Sequence, residues 1–167
     1  RGLAGLFPHG DTQGKALELA CADEISGSLT LNFSVLELDQ TGFSAQFDCR
    51  FPLCAQEEAL LSRLSAALTP LGAAVTDPGL VPPHCVPEDD PFVQTLLGVY
   101  RDYTGQSARC LAIGGGTYVH DIPGGVAFGC CMPGFNGNMH GADEHTCIAD
   151  QLTAAKIFTQ AIIDLCG

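Results

Sequence analysis

Five prolines fall within residues 77–91 (Pro78, Pro82, Pro83, Pro87 and Pro91), and they constrain this chain more than any other feature. Each fixes its own φ, lacks a backbone N–H and pushes the preceding residue out of the helical region. Neither a continuous helix nor a central strand can pass through such a stretch. Few apolar residues accompany the prolines, so residues 78–90 read as a linker, with residues 1–77 on one side and 91–167 on the other.

The two sides carry different periods. Residues 28–38 (SLTLNFSVLEL) alternate, with Leu29, Leu31, Phe33 and Val35 on one face. Residues 43–51 alternate too, through Phe43, Ala45, Phe47, Cys49 and Phe51. The intervening DQTG is a turn signal, and together they predict a β-hairpin with one buried and one polar face. Leu60, Leu61, Leu64 and Leu68 give a helix over 55–69, ended by Pro70 and Gly72. A short strand at 73–76 would complete a β-β-α-β unit. Residues 1–27 show no period, because Pro8, Gly10 and Gly14 interrupt it. Beyond the linker, a helix is expected at 91–104, buried strands at Cys110–Ile113 and Val126–Gly129, and a final helix at 148–165. The fold class is therefore α/β: an α+β portion built on the hairpin and helix, then a β/α segment.

Charge excludes some roles. Seven Lys and Arg against 19 Asp and Glu give a net charge of −12, unsuited to nucleic-acid phosphates or an anionic membrane surface. No apolar run approaches the roughly 18–20 residues of a spanning helix. The mean hydropathy of +0.21 is nevertheless high, which suggests surface covered by a partner subunit or by a missing part of the same protein. The chain begins at Arg1 and not at Met, as a processed or excised piece would. Nine cysteines, an odd number without CxxC spacing, read mostly as small buried hydrophobes in a reducing cytoplasm. The vicinal Cys130-Cys131 pair is poorly placed for an ordinary disulfide.

Several short motifs could carry chemistry. Gly114-Gly115-Gly116-Thr117 follows an apolar run, where glycines allow close backbone approach and successive N–H groups can hold an anion. It is neither a P-loop nor a dinucleotide fingerprint, and a tight turn explains it equally well. His140 or His145 could ligate a metal, with Asp143 or Glu144 orienting the ring, but zinc needs three or four ligands. His9-Gly-Asp11 has a metallopeptidase-like spacing without a preceding strand, so it reads as a loop. Glu57-Glu58 reads as a solvated helix start where acidic charge suits the dipole, and Glu88-Asp89-Asp90 as linker charge. Asn32 and Arg50 lie on the polar face of the hairpin. An Arg on a rigid strand suits a carboxylate, and a solvated cross-strand pair is the competing reading.

In this order LTLN (29–32), FDCRFP (47–52), PPHCVPEDDPFVQTLL (82–97), IGGGTYVHDIPGGVAFG (113–129) and MHGADEH (139–145) resemble the zinc metallopeptidase family of aminoacylase, carnosinase and the PepV-type dipeptidases. The resemblance covers about residues 7–166. It implies a two-zinc catalytic domain interrupted by an α/β lid. Residues 1–77 would then be the later part of the lid, or dimerisation domain, and 91–167 the last catalytic segment.

By position, His140 matches the last metal ligand, and Arg50 the lid residue that holds the terminal carboxylate of a small peptide substrate. Asn32 matches a lid Asn that lines the substrate site in that family, and Gly115, Gly116 and Thr117 match a substrate-contacting loop. His84 matches a PHxVP motif, and His120 stands where related dipeptidases have Arg; both are further candidates. The catalytic Glu and the other zinc ligands are expected upstream, outside this sequence. The chain alone is thus expected to be an inactive C-terminal portion of a cytoplasmic dipeptidase that needs its N-terminal half and could form a homodimer. The competing readings are a non-catalytic small-molecule-binding or dimerisation module, and an aminoacylase- or carboxypeptidase-type deacylase.

Overall fold

The computed structural model describes residues 2–129 and 131–167, so Arg1 and the Cys130 half of the vicinal pair lie outside the described residues. It mixes helices with small antiparallel sheets. Two compact units form, residues 1–84 with 112–114 and residues 85–111 with 115–167.

In the first unit, polar side chains organise the stretch that lacks a period. Helix α1 (Leu3–Leu6) is a single turn. The Asp11 carboxylate then accepts the N–H groups of Gln13, Lys15 and Ala16 and shapes the loop that follows. Gly14 is required there: its φ is +66°, and a Cβ would come within 3.1 Å of Leu19 and Leu31. Strands β1 (Ala22–Asp23) and β2 (Gly27–Ser28) make a short ribbon that the sequence period does not announce.

Strand β3 (Thr30–Leu38) pairs antiparallel with β4 (Phe43–Arg50), as alternation requires. At the turn, Asp39 accepts the N–H groups of Thr41 and Gly42. A bulge between Phe33 and Val35 changes the expected facing. Ser34 is the extra residue, so Val35 pairs with Gln46 on the polar face and is 42% exposed, while Leu36 pairs with Ala45. Helix α2 (Glu57–Leu68) covers the apolar face, and a 3-10 turn at Thr69–Leu71 extends it. The core joins Leu17, Leu19, Leu29 and Leu31 to Phe47, Phe51, Leu60 and Leu64. The Phe7, Phe33 and Phe47 rings pack with centroids 4.5–5.2 Å apart.

In the second unit, helix α3 (Pro91–Thr104) starts and stops where its residues dictate. Asp90 accepts the Phe92 N–H at 2.8 Å, Pro91 takes the first helical position, and Gly105 ends the helix at φ +66°. Helix α4 (Ile148–Cys166) packs against it. The contact buries Val93, Leu96 and Val99 of α3 and Ala154, Ile157 and Ala161 of α4. The Tyr103 hydroxyl reaches Gln160 Oε1 at 3.2 Å. Ile148, Leu152, Ile162 and Ile163 of α4 remain exposed.

Three expected strands are corrected. Residues 73–76, 110–113 and 126–129 are not strands, so the β-β-α-β unit stops at β-β-α. A strand exists only through a partner, and among the described residues none pairs with these runs. Cys110–Ile113 is also not buried: Leu111 is 67% and Ile113 62% exposed. The expectation of mostly buried cysteines is corrected too. Each described cysteine is a free thiol and none is fully buried; Cys54, Cys85, Cys110, Cys131 and Cys166 are exposed.

Among the described residues no helix is long and apolar enough to cross a membrane.

Candidate functional site

The polar face of the hairpin gathers Asn32, Asp48 and Arg50. Antiparallel pairing sets Asn32 opposite Asp48 and Thr30 opposite Arg50, and residues two apart on a strand share a face. Arg50 Nε and Nη2 donate to the two Asp48 carboxylate oxygens, each at 3.2 Å. Both side chains are about half exposed, at 51% and 46%. The guanidinium fork is thus held in the geometry that binds a carboxylate, on a strand whose other face is anchored in the core. An incoming carboxylate would meet a preoriented fork and would compete with Asp48 for it. The sequence reading missed Asp48; its signal was the i, i+2 spacing within DCR.

The glycine loop is open at Gly116. Gly115 is half-buried and Gly116 exposed, and a Cβ at Gly116 would meet nothing within 4 Å. Thr117 then caps a 3-10 turn, Tyr118–Asp121, through a reciprocal capping box. Its N–H lies 3.3 Å from His120 Nδ1, while the Thr117 side chain accepts the His120 backbone N–H. His120 therefore holds the loop that follows the glycines, a structural task for this imidazole. His84 is half-buried in the proline-rich segment.

His140 sits on an exposed loop closed by a hydrogen bond from the His145 N–H to the Gly137 carbonyl, 2.9 Å. Asn138, His140 and Asp143 all take positive φ (55°, 61° and 57°). Such conformations are uncommon outside glycine and tighten the loop around the imidazole. The Asn138 amide donates to the Ala142 carbonyl across the loop. His145 Nδ1 is 2.9 Å from the Asp143 carbonyl and its ring packs edge-on against Phe135, so His145 supports the loop. Among the described residues no three or more His, Cys, Asp or Glu side chains are arranged to hold a metal.

The other acidic candidates have structural tasks. Asp11 spends its carboxylate on three backbone N–H groups, that of Ala16 foremost, which hold it below the usual carboxylate range. His9-Gly-Asp11 is thus a loop-organising motif. Asp23 is held down at about 2, chiefly by the Ser26 N–H and hydroxyl. Glu57 and Glu58 sit exposed in the first turn of α2.

No family model matches the chain. Among curated proteins it is similar to one from Bacillus subtilis (strain 168) named "Putative dipeptidase YtjP", with 38% identity over 158 residues, 93% of this chain and 33% of that protein. A protein from Lactobacillus delbrueckii subsp. lactis named Beta-Ala-Xaa dipeptidase is 32% identical over 158 residues, 94% of this chain and 33% of its own length. The chain spans about a third of the length of the curated relatives it matches.

Proposed function

We propose that this chain is the C-terminal third of a dipeptide-hydrolysing zinc metallopeptidase, joining part of its lid to the last segment of its catalytic domain. The observation that carries the reading is the similarity to proteins named dipeptidases over more than nine-tenths of the chain. The hairpin geometry supports it. A dipeptide's free carboxylate needs a cation in fixed orientation, and the Arg50 fork offers one beside Asn32. In this reading the Gly115-Gly116-Thr117 loop contacts substrate, and His84 is a further candidate. His140 supplies one ligand to a metal centre whose remaining ligands, with the catalytic Glu, come from the N-terminal part. Zinc there would activate the attacking water. The chain alone does not hold that centre, so it is inactive by itself. We place the enzyme in the cytoplasm, since nine cysteines without CxxC spacing suit a reducing compartment.

The test uses the longer reading frame that contains this chain, expressed and supplied with zinc. Dipeptides should be cleaved, and Arg50→Ala should lower kcat/KM about ten- to a hundred-fold, the worth of one charge-assisted contact. The same variant should act almost normally on a dipeptide whose carboxylate is amidated. Cleavage of N-acyl amino acids without cleavage of dipeptides would replace this reading with a deacylase.

A further inference from the structure

Arg50 is the only Lys or Arg between residues 30 and 50, where Glu37, Asp39 and Asp48 carry negative charge. The hairpin that presents the fork is thus acidic around a single cation, and that cation is already engaged. Nε and Nη2 each give one N–H to Asp48, at 3.2 Å, which uses two of the five guanidinium donors. The donors that remain lie on Nη1 and Nη2, along the end-on edge of the group. Across the hairpin stand Thr30 and Asn32, which carry no charge. Among the described residues no other acid pairs with Arg50. An incoming carboxylate therefore finds N–H groups to bind, and contends with Asp48 for Nη2. It does not find an unopposed charge, because Asp48 offsets the guanidinium before substrate arrives.

We propose that Asp48 is a specificity-determining residue: it makes the site take dipeptides whose C-terminal side chain is neutral or basic and discriminate against those ending in Asp or Glu. The proposal rests on the reading that Arg50 holds a dipeptide's free carboxylate. The charges of Arg50 and Asp48 cancel, so the free carboxylate is held by directed hydrogen bonds to the nearer partner, the guanidinium. A dipeptide ending in Glu brings a second carboxylate to the same place. The hairpin has no second cation for it, and Asp48 repels it. Discrimination of this kind comes from a repulsive element and not from a new attraction. Both side chains are about half exposed, so water and salt screen the repulsion and keep the effect modest.

The test gives the longer protein that contains this chain two substrates of the same shape and different charge, Ala-Gln and Ala-Glu. In the unaltered protein kcat/KM for Ala-Gln should exceed that for Ala-Glu by about three- to ten-fold, with the difference mainly in KM and shrinking as salt is added. Asp48→Asn keeps the size of the side chain and one acceptor for Nε, and it should bring the ratio close to one. Each ratio is taken within one protein, so a general loss of folding or of zinc cancels from it. Equal rates on the two dipeptides in the unaltered protein, or a ratio that Asp48→Asn leaves in place, would overturn the proposal. Arg50→Ala separates the two layers of the argument. If that variant cleaves Ala-Gln as well as the unaltered protein does, the reading of Arg50 itself is overturned, and the proposal with it.

Discussion

The hairpin at 30–50 and the stretch between α3 and α4 are both rich in apolar residues, yet among the described residues only the first of the two pairs its backbone into a sheet, while the second contributes a ring contact from Phe128 to Phe158 of α4. In β3 and β4 apolar residues alternate with polar ones, so one face meets the core while each backbone ladder is satisfied by the other strand. Cys110–Ile113 and Val126–Gly129 are apolar on both faces. That is the composition of strands covered on both sides, and such strands need neighbours. Here neither run forms a strand, and Leu111 and Ile113 are exposed. The lesson is that alternation describes a local solution, whereas a continuous apolar run describes a debt to some other element. The similarity to proteins about three times as long names where that element could lie.

The comparison breaks most sharply at Leu29 and Leu111. Leu29 has no exposed surface, so Leu29→Ala should cost about 2–5 kcal/mol in a urea titration of this chain. Leu111→Ala should stay within about 0.5 kcal/mol, because its side chain is already in water. Equal costs would show that the loop segment is packed after all. In the longer protein the Leu111 substitution should become expensive.

A smaller effect sharpens the account of the second unit. Asp90→Ala removes the cap of α3 and should cost about 1 kcal/mol, seen as an earlier loss of helical circular dichroism on heating. In the first unit, the effect of Asp23 should be confined to acid. Its folded pKa lies at about 2, below the ordinary 3.8, because the Ser26 N–H and hydroxyl stabilise the carboxylate. The stability it contributes is therefore complete above about pH 4 and is lost as pH falls toward 2. Asp23→Asn should flatten that part of the stability profile, leaving the dependence due to Asp11 and Asp39, whose carboxyls are also held down by N–H groups. Parallel profiles for the two proteins would contradict this role.

Much of the fold was legible because its signals are local. DQTG between alternating runs placed the hairpin turn, and the apolar spacing after the prolines placed the helix at 91–104, which is α3. The bulge at Ser34 was not legible, since nothing in SLTLNFSVLEL marks where the alternation slips and sends Val35 outward. The ribbon at 22–28 depends on Asp23 and Ser26 holding a turn and a distant corner, which no period reveals. Of the candidate site, Asn32 and Arg50 could be placed on one face by counting, and the i, i+2 spacing put Asp48 beside Arg50, but that Asn32 stands opposite Asp48 required the register. His140 could be named by resemblance, whereas its left-handed backbone and its loop required coordinates.

The most direct test of the account is zinc content and dipeptide hydrolysis, measured together on the longer protein with His140 intact and with His140→Ala. The account predicts that the 167-residue chain retains no stoichiometric zinc after dialysis, and that the longer protein retains it and cleaves dipeptides. His140→Ala should then lose bound zinc and hydrolysis together. Unchanged zinc and unchanged turnover in His140→Ala would contradict the account at its centre.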